Sequence, residues 1–370
     1  MKLFTVVGAR PQFIKAAALS KAISETKKSF SPINEKIIHT GQHFDSSMSE
    51  IFFEQMSIPK PKYNLNIGGG THGSNTGRML EEIEKILMKM QPNITMVYGD
   101  TDSTLAGALA SSKLNIPVIH IEAGLRSFNR KMPEELNRIV TDHLSDTCFS
   151  PSDRAVKNLL NEGINISKII RTDDVMIDAA RIFGEKSQKN SFIIEKLFLN
   201  DENFVLATIH RAENTNSKEI LTSILKALSV FAMSTAKVVL PLHPRTKKAI
   251  MDFSLEKYLK NIICIDPIGY LDMIQLERLA SLIVTDSGGI QKEAYFYETQ
   301  CITLRTETEW IELVEAGCNV LVQPNQTELI LKEINSNFNK FKKNIKHGIY
   351  GEGYASKHIV DKLIDIYNIS

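Results

Sequence analysis

One tryptophan, four cysteines and no long apolar run mark what this chain of 370 residues does without. The cysteines, Cys148, Cys264, Cys301 and Cys318, lie far apart and form no CxxC pair. That spacing excludes a zinc site or a disulfide framework and reads as core residues of a reducing compartment. No stretch reaches the ~18 consecutive apolar residues of a membrane span. The 44 basic and 43 acidic residues leave a net charge of +1, and the basic ones nowhere form a block. Charge therefore gives no reason to expect nucleic acid or an anionic membrane as partner. The opening run KLFTVVG is too short for a signal peptide and leads into a strand, a turn and a helix. The expected location is the cytoplasm, with no metal and no membrane attachment. Fixed-period repeats and low-complexity tracts are also missing.

What the chain does have is alternation. Apolar runs at Leu3–Val7, Lys36–Thr40, Ile94–Tyr98, Val118–Ile121, Thr147–Phe149 and Lys168–Ile170 read as one series of buried strands. A second series runs through Phe204–Ile209, Lys237–Leu242, Ile262–Ile265, Leu282–Val284, Cys301–Leu304 and Val320–Val322. Helical spacing fills the gaps, at Met79–Met90, Ser103–Leu114, Ser217–Met233 and Tyr270–Ala280. Strand alternating with helix predicts α/β architecture with parallel sheets, here two doubly wound domains, 1–172 and 173–354. The polar stretch Gly184–Asn203, containing EKSQKNS, reads as the bridge, and the helical segment 355–370 as packing back on the first domain. Two such domains predict a ligand cleft between them, outside the carboxyl ends of the strands.

The densest chemistry lies in Tyr98–Arg138, YGDTDSTLAGALASSKLNIPVIHIEAGLRSFNRKMPEELNR. Two apolar runs end in carboxylates, Asp100 and Glu122; Glu134-Glu135 follow a proline, and Arg126 and Arg138 sit close by. Carboxylates gathered at a cleft raise one another's pKa and can serve as acid and base near neutral pH. Capping of the helices near Ser103 and 135 explains Asp100 and Glu134 about as well. It does not explain Glu122. The first strand ends in VGARPQFIK, where a glycine turn sets Arg10 and Lys15 at a helix start suited to an anion. A plain strand–helix turn with solvated charges is an equal alternative. Gln42 and His43 follow the second strand in HTGQHFDSSMSEIFF, and GGGTHG at Gly68–Gly73 reads as a linker.

The second half carries ATIHRAEN, with His210-Arg211 at a strand end, and LPLHP, with His243 at the next. A histidine at a strand end beside an arginine suits proton transfer or phosphate binding. In VTDSGGIQKEA a strand ends in Asp286, and Ser287, Gly288 and Gly289 turn into a helix carrying Gln291 and Glu293. Such a turn offers backbone N–H groups to a phosphate, and a carboxylate one turn in can accept from ribose hydroxyls. Together they point to a nucleotide.

In this order GARPQFIK, YGDTDSTLAGALA, HIEAGLRS, MPEELNR, IHRAEN and DSGGIQKEA resemble the non-hydrolysing UDP-N-acetylglucosamine 2-epimerases, nearly end to end. The resemblance implies a GT-B fold of two Rossmann-like domains, a homodimer, and no cofactor or metal. It implies inversion at C2 of a UDP-linked 2-acetamido sugar, UDP-GlcNAc to UDP-ManNAc, through elimination of UDP and a 2-acetamidoglucal. By motif, Asp100, Glu122, Glu134 and His210 look like the catalytic set. Arg10, Lys15, Arg138, Ser287, Gly288, Gly289, Glu293 and Arg305 look like the UDP-binding set, and Gln42, His43 and His243 resemble a regulatory UDP-sugar region. The family often has Glu where Gln12 stands, and a Gly-Asn pair where this chain has Thr172-Asp173. Trp310 in RTETEWIEL, where many members have arginine, and SFNRKMPEE resemble the branch that epimerises UDP-2,3-diacetamido-2,3-dideoxy-glucuronate. There Arg130 or Lys131 would pair with the sugar's carboxylate. A GT-B glycosyltransferase, a hydrolysing epimerase and a non-catalytic UDP-sugar sensor are the competing readings.

The nucleotide reading of Glu293 has a direct test. Glu293→Ala should weaken UDP itself in a calorimetric titration; unchanged affinity counts against a ribose contact.

Overall fold

The computed structural model describes residues 1–26, 33–42, 53, 56–200, 202–340 and 348–367. The chain packs as two compact units, Met1–Ile182 with Gly348–Ser370, and Phe183–His347. In the first unit the strands are β1 (Lys2–Val7), β2 (Asn34–His39), β3 (Tyr63–Asn64), β4 (Ile94–Tyr98), β5 (Val118–Ile121), β6 (Thr147–Ser150) and β7 (Ile169–Arg171). They form one parallel sheet in the order β3-β2-β1-β4-β5-β6-β7, with Val6 opposite Ile38 on one side and Val97 on the other. The sequence pattern shows six of these strands. The seventh, β3, is a two-residue edge strand, too short to carry a period.

Helices cover this sheet: α1 (Arg10–Thr26), α2 (His72–Met90), α3 (Asp102–Lys113), α4 (Pro133–Leu144), α5 (Asp153–Asn161) and α6 (Val175–Asn190). Their starts are chemically marked. Thr71 caps α2, Ser152 caps α5, and Thr101 and Thr104 close a reciprocal capping box on α3. Met79, Ile83 and Leu87 of α2 bury against Phe4, Val6 and Val97 of the sheet. Burying each such side chain contributes roughly 1.5–3 kcal/mol.

The second unit holds β8 (Phe204–Thr208), β9 (Lys237–Pro241), β10 (Ile263–Ile265), β11 (Leu282–Thr285), β12 (Cys301–Thr303) and β13 (Asn319–Leu321), ordered β10-β9-β8-β11-β12-β13 and parallel. The helices are α7 (Ile193–Lys196), α8 (Ala212–Thr215), α9 (Lys218–Ser234), α10 (Pro244–Asp252), α11 (Tyr270–Leu279), α12 (Gly288–Phe296), α13 (Ile311–Glu315) and α14 (Thr327–Asn337). Alternate residues of β8 explain the double winding. Val205 and Ala207 join the core with Leu221, Leu225 and Leu228 of α9, whereas Phe204 and Leu206 join that with Leu276 of α11 and Ala294 of α12.

The stretch expected as a polar bridge is helical instead. Helix α6 continues to Asn190 and α7 follows within three residues. Glu, Lys and Gln are good helix formers, so a polar run need not be a loop. Within it Ser187 is fully buried and donates to the Gly184 carbonyl at 2.8 Å. Among the cysteines, Cys264 is only half-buried rather than in the core.

The last helix, α15 (Ala355–Ile366), packs against α1. Its first turn is capped from a distance, because Asp178 of α6 accepts from the amides of Ala355 at 2.9 Å and Ser356 at 2.6 Å. Burial pushes the Asp178 carboxyl up, and these amides only partly offset the shift.

One turn is sterically closed to any side chain. Gly124 has φ +87°, and an added Cβ would lie 2.4 Å from the Ala155 carbonyl oxygen. Gly124→Ala should destabilise the first unit by roughly 2–4 kcal/mol, from positive φ plus backbone overlap. Urea unfolding checks this; a loss below about 0.5 kcal/mol, the range of neutral surface changes, would refute it.

Candidate active site

In both sheets the strand order reverses beside the first strand of the unit, and loops diverge from that switch point. In the first unit the point lies between β1 and β4. The loop after β1 carries Gly8, Arg10 opens α1, and the turn after β4 carries Gly99 and Asp100. Gln12 locks the two together. Its amide oxygen accepts from the N–H of Gly8 (2.7 Å) and Ala9 (3.0 Å), and its NH2 donates to the Tyr98 carbonyl and the Thr104 hydroxyl, both at 2.9 Å.

The carboxylates expected to act on one another are instead matched with cations. Arg138 of α4 reaches Asp100 Oδ2 through Nη2 at 2.6 Å and Nε at 3.1 Å, and Glu135 through Nη1 at 2.6 Å. Lys15 forms a buried ion pair with Glu122. Asp100 is not the helix cap either, since Thr101 holds that position. Glu134 stands half-buried in the first turn of α4, while its neighbour Glu135 is the anchor. Glu135 accepts from the N–H and hydroxyl of Ser127, both at 2.9 Å, and from the N–H of Phe128 at 2.8 Å. That fixes the loop before α4, where Phe128 is exposed with φ +60°. Beside Lys15 and Glu122 a narrow crevice is lined by Phe149, Thr172, Asp173 and Ile359. Asp173 has φ +67°, a region that Asn and Asp enter more readily than other non-glycine residues.

In the second unit the switch point lies between β8 and β11, and their ends carry His210 and Asp286. Asp286 is wholly buried. It accepts from the N–H of His210 and Arg211 and from the Asn214 amide at 3.0 Å, and His210 Nδ1 lies 3.1 Å from it. Burial alone would push the Asp286 carboxyl up; the His210 ring and these donors outweigh it and hold it below the ordinary value. His243 caps α10, accepting from Arg245 N–H at 3.2 Å, and its ring centre is 5.7 Å from that of His210.

Ser287 precedes α12 without a side-chain cap, so Gly288 and Gly289 begin the helix half-exposed. Trp310 borders this turn, its indole nitrogen 3.7 Å from where a Cβ on Gly288 would stand, and the Lys292 ammonium lies over its ring at 3.9 Å. Glu293 is buried and accepts from the Tyr270 hydroxyl at 2.6 Å. Glu277 beside it is also buried, with neither oxygen bonded among the described residues. Burial raises both carboxyls, and the Glu293 charge raises Glu277 further. Arg305 is held by both oxygens of Glu309, at 3.1 and 3.0 Å. A cavity of about 260 Å³ opens beside Arg305, Arg211, Glu213 and Asn214.

Of the residues expected at a regulatory site, Gln42 is engaged structurally, accepting from the Ser103 hydroxyl at 2.7 Å and its N–H at 3.1 Å. His43 lies outside the described residues. The sequence did not single out Gln12 and Glu135 as anchors. Both stand beside residues that it did flag, but only tertiary contacts tell them apart. No cluster of three or more His, Cys, Asp or Glu able to hold a metal occurs among the described residues, and no helix there is long and apolar enough to cross a membrane.

Comparison with known proteins places this geometry. The profile of the UDP-N-acetylglucosamine 2-epimerase family matches residues 25–364. The UDP-2,3-diacetamido-2,3-dideoxy-D-glucuronate 2-epimerase of Pseudomonas aeruginosa is 50% identical over 98% of this chain and 99% of its own length. The crystal structure of Methanocaldococcus jannaschii UDP-GlcNAc 2-epimerase in complex with UDP-GlcNAc and UDP superposes with TM-score 0.91 at 43% identity, covering 99% of this chain and 100% of that one. The Neisseria meningitidis UDP-GlcNAc 2-epimerase bound to UDP-GlcNAc does so with TM-score 0.87 at 34% identity, covering 99% and 100%. With its two parallel-sheet units, the chain has the GT-B fold.

The Asp286 shift has a pH consequence. A depressed folded-state pKa adds stability that is present above the unfolded value, about 3.9, and is lost as pH falls through the folded one. His210→Ala leaves burial less opposed, so the acid unfolding limb should move to higher pH. Circular dichroism across an acid titration reads it; coincident limbs for the two proteins would exclude the coupling.

Proposed function

The chain belongs to the UDP-N-acetylglucosamine 2-epimerase family, and on that premise we propose that it interconverts UDP-GlcNAc and UDP-ManNAc by inverting C2. It is an isomerase. A C2 hydrogen is not acidic, so its removal has to be coupled to loss of a well-stabilised leaving group from C1. A base takes the C2 proton as the C1–O bond breaks, giving a 2-acetamidoglucal and UDP. Protonation of C2 on the opposite face and return of UDP to C1 complete the inversion. Elimination and re-addition balance without any oxidant or reductant.

The observation that carries this reading is the pair of carboxylates at the ends of adjacent strands, each held by one cation: Asp100 with Arg138 and Glu122 with Lys15. Two fixed carboxylates are what proton transfer on two faces of one carbon requires. Glu134 is the third carboxylate of this set. His210, oriented by Asp286, is the fourth group and serves at the leaving phosphate. The bare N-terminus of α12 at Ser287, Gly288 and Gly289 suits the diphosphate, with Arg10 and Arg305 as cations for it, and Glu293 suits the ribose. Which carboxylate is acid and which base depends on direction, since the same two groups exchange roles when the reaction reverses.

A second reading is favoured by one observation. The Pseudomonas aeruginosa relative named for UDP-2,3-diacetamido-2,3-dideoxy-D-glucuronate is 50% identical along the chain. In that case the substrate carries a carboxylate, and Arg130 or Lys131 in the loop fixed by Glu135 is its partner. A homodimer and a cytoplasmic location belong to the same proposal. The four free cysteines agree with a reducing compartment, and sedimentation velocity reads the dimer.

Proton NMR in D2O separates the sugars. Deuterium should enter C2 of UDP-GlcNAc as UDP-ManNAc appears; exchange confined to the diacetamido-glucuronate moves the assignment to the second reading. A glycosyltransferase or a sensor leaves C2 protonated. Asp100→Asn and Glu122→Gln should each slow exchange by about 100-fold or more while UDP still binds. Near-normal exchange in both variants would remove the carboxylates from the mechanism.

A further inference from the structure

Behind the two proton-transfer carboxylates lies a buried ionic chain. His120 is the third residue of β5 and is wholly buried. Its Nε2 is 2.7 Å from the Gly99 carbonyl oxygen, and its Nδ1 is 2.7 Å from Asp142 Oδ1. A carbonyl can only accept, so Nε2 carries a proton. Asp142, wholly buried on α4, also accepts from the Gly124 N–H at 3.1 Å and Arg126 Nη1 at 2.7 Å. Burial alone would push this carboxyl up, but the His120 and Arg126 charges bring it below the ordinary value. Arg126 is in turn forked onto Glu162, Nε to Oε1 at 2.7 Å and Nη2 to Oε2 at 2.6 Å. Glu162 also lies 3.5 Å from His143 Nε2.

The two backbone groups gripped by this chain sit where the chemistry turns. Gly99, with φ +61°, immediately precedes Asp100, and a Cβ there would stand 3.2 Å from Glu122 Oε2 and 3.4 Å from Lys15 Nζ. Gly124 closes the turn in which Glu122 itself has φ +74°. A non-glycine residue in that region costs of order 1–3 kcal/mol and persists only where its surroundings over-determine it. Asp142 and His120 supply that determination for both turns through one pair of side chains.

We propose that His120 and Asp142, braced by Arg126 and Glu162, are positioning residues that set the aim of Asp100 and Glu122. This rests on the epimerase reading of those two carboxylates. A misplacement of about 1 Å can cost roughly 100-fold in rate without loss of binding, which is the size of effect at stake. A merely structural role would instead lower stability and leave the folded protein's turnover unchanged.

The test pairs an activity readout with one that needs no activity. In 15N-labelled full-length protein Nε2 of His120 should carry a proton held in a hydrogen bond, identified by loss of the signal in His120→Gln; a bare Nε2 overturns the proposal. Asp142→Asn should lower the saturated C2-exchange rate by about 100-fold with KM and UDP affinity within about threefold of the parent. His120→Gln stands in if Asp142→Asn does not fold. A folded variant that exchanges within about threefold of the parent overturns the positioning role, as does UDP affinity falling in step with rate. Parent protein that exchanges no C2 hydrogen in any UDP-sugar overturns the epimerase reading itself, and the positioning role with it.

Discussion

Charge buried at the edge of a parallel sheet has to be answered by opposite charge, and the first unit is built around that requirement. Desolvating an ion costs several kcal/mol, so a lone carboxylate beneath Phe149 or beside Tyr98 would protonate or unfold its turn. Four acids at this edge each have a basic partner. Lys15 answers Glu122, Arg138 answers Asp100 and Glu135, and His120 with Arg126 answers Asp142. These cations come from α1, α4, β5 and the loop after β5, so the pairs also stitch the helices to the sheet at its carboxyl edge. The apolar packing of Phe4, Val6 and Val97 holds the layers together, while the ion pairs decide where the loops stop.

The second unit meets the same demand with hydrogen bonds in place of a cation network. Asp286 ends β11 fully buried and is satisfied by two backbone amides, an asparagine amide and a histidine ring. Its neighbours Ser287, Gly288 and Gly289 are then left to start a helix whose first amides no side chain covers.

Much of this was legible in the sequence. The limits of β4 and β5 match their apolar runs to the residue, because both strands are buried along their whole length and each has only one polar position, Thr95 and His120. Asp100, Glu122, His210 and Asp286 stand at strand ends for the same reason. The helical nature of residues 184–190 was missed because polarity imitates a linker, although its residues favour a helix. Glu134 and Glu135 differ only in which face of α4 they occupy, and their different roles appear only once Ser127 and Arg138 are in place. His120 and Asp142 are 22 residues apart and belong to different elements, so no local pattern could join them.

Gln12 carries a consequence for how the protein meets changes in acidity. Its amide accepts from two N–H groups and donates to a carbonyl and a hydroxyl, four tasks that an amide performs without a titratable proton. A glutamate in the same place, as family resemblance suggests for many relatives, could donate to the Tyr98 carbonyl only while protonated. The loop after β1 in this chain is therefore anchored identically at every pH at which the fold survives. A glutamate there would tie the same anchor to a proton.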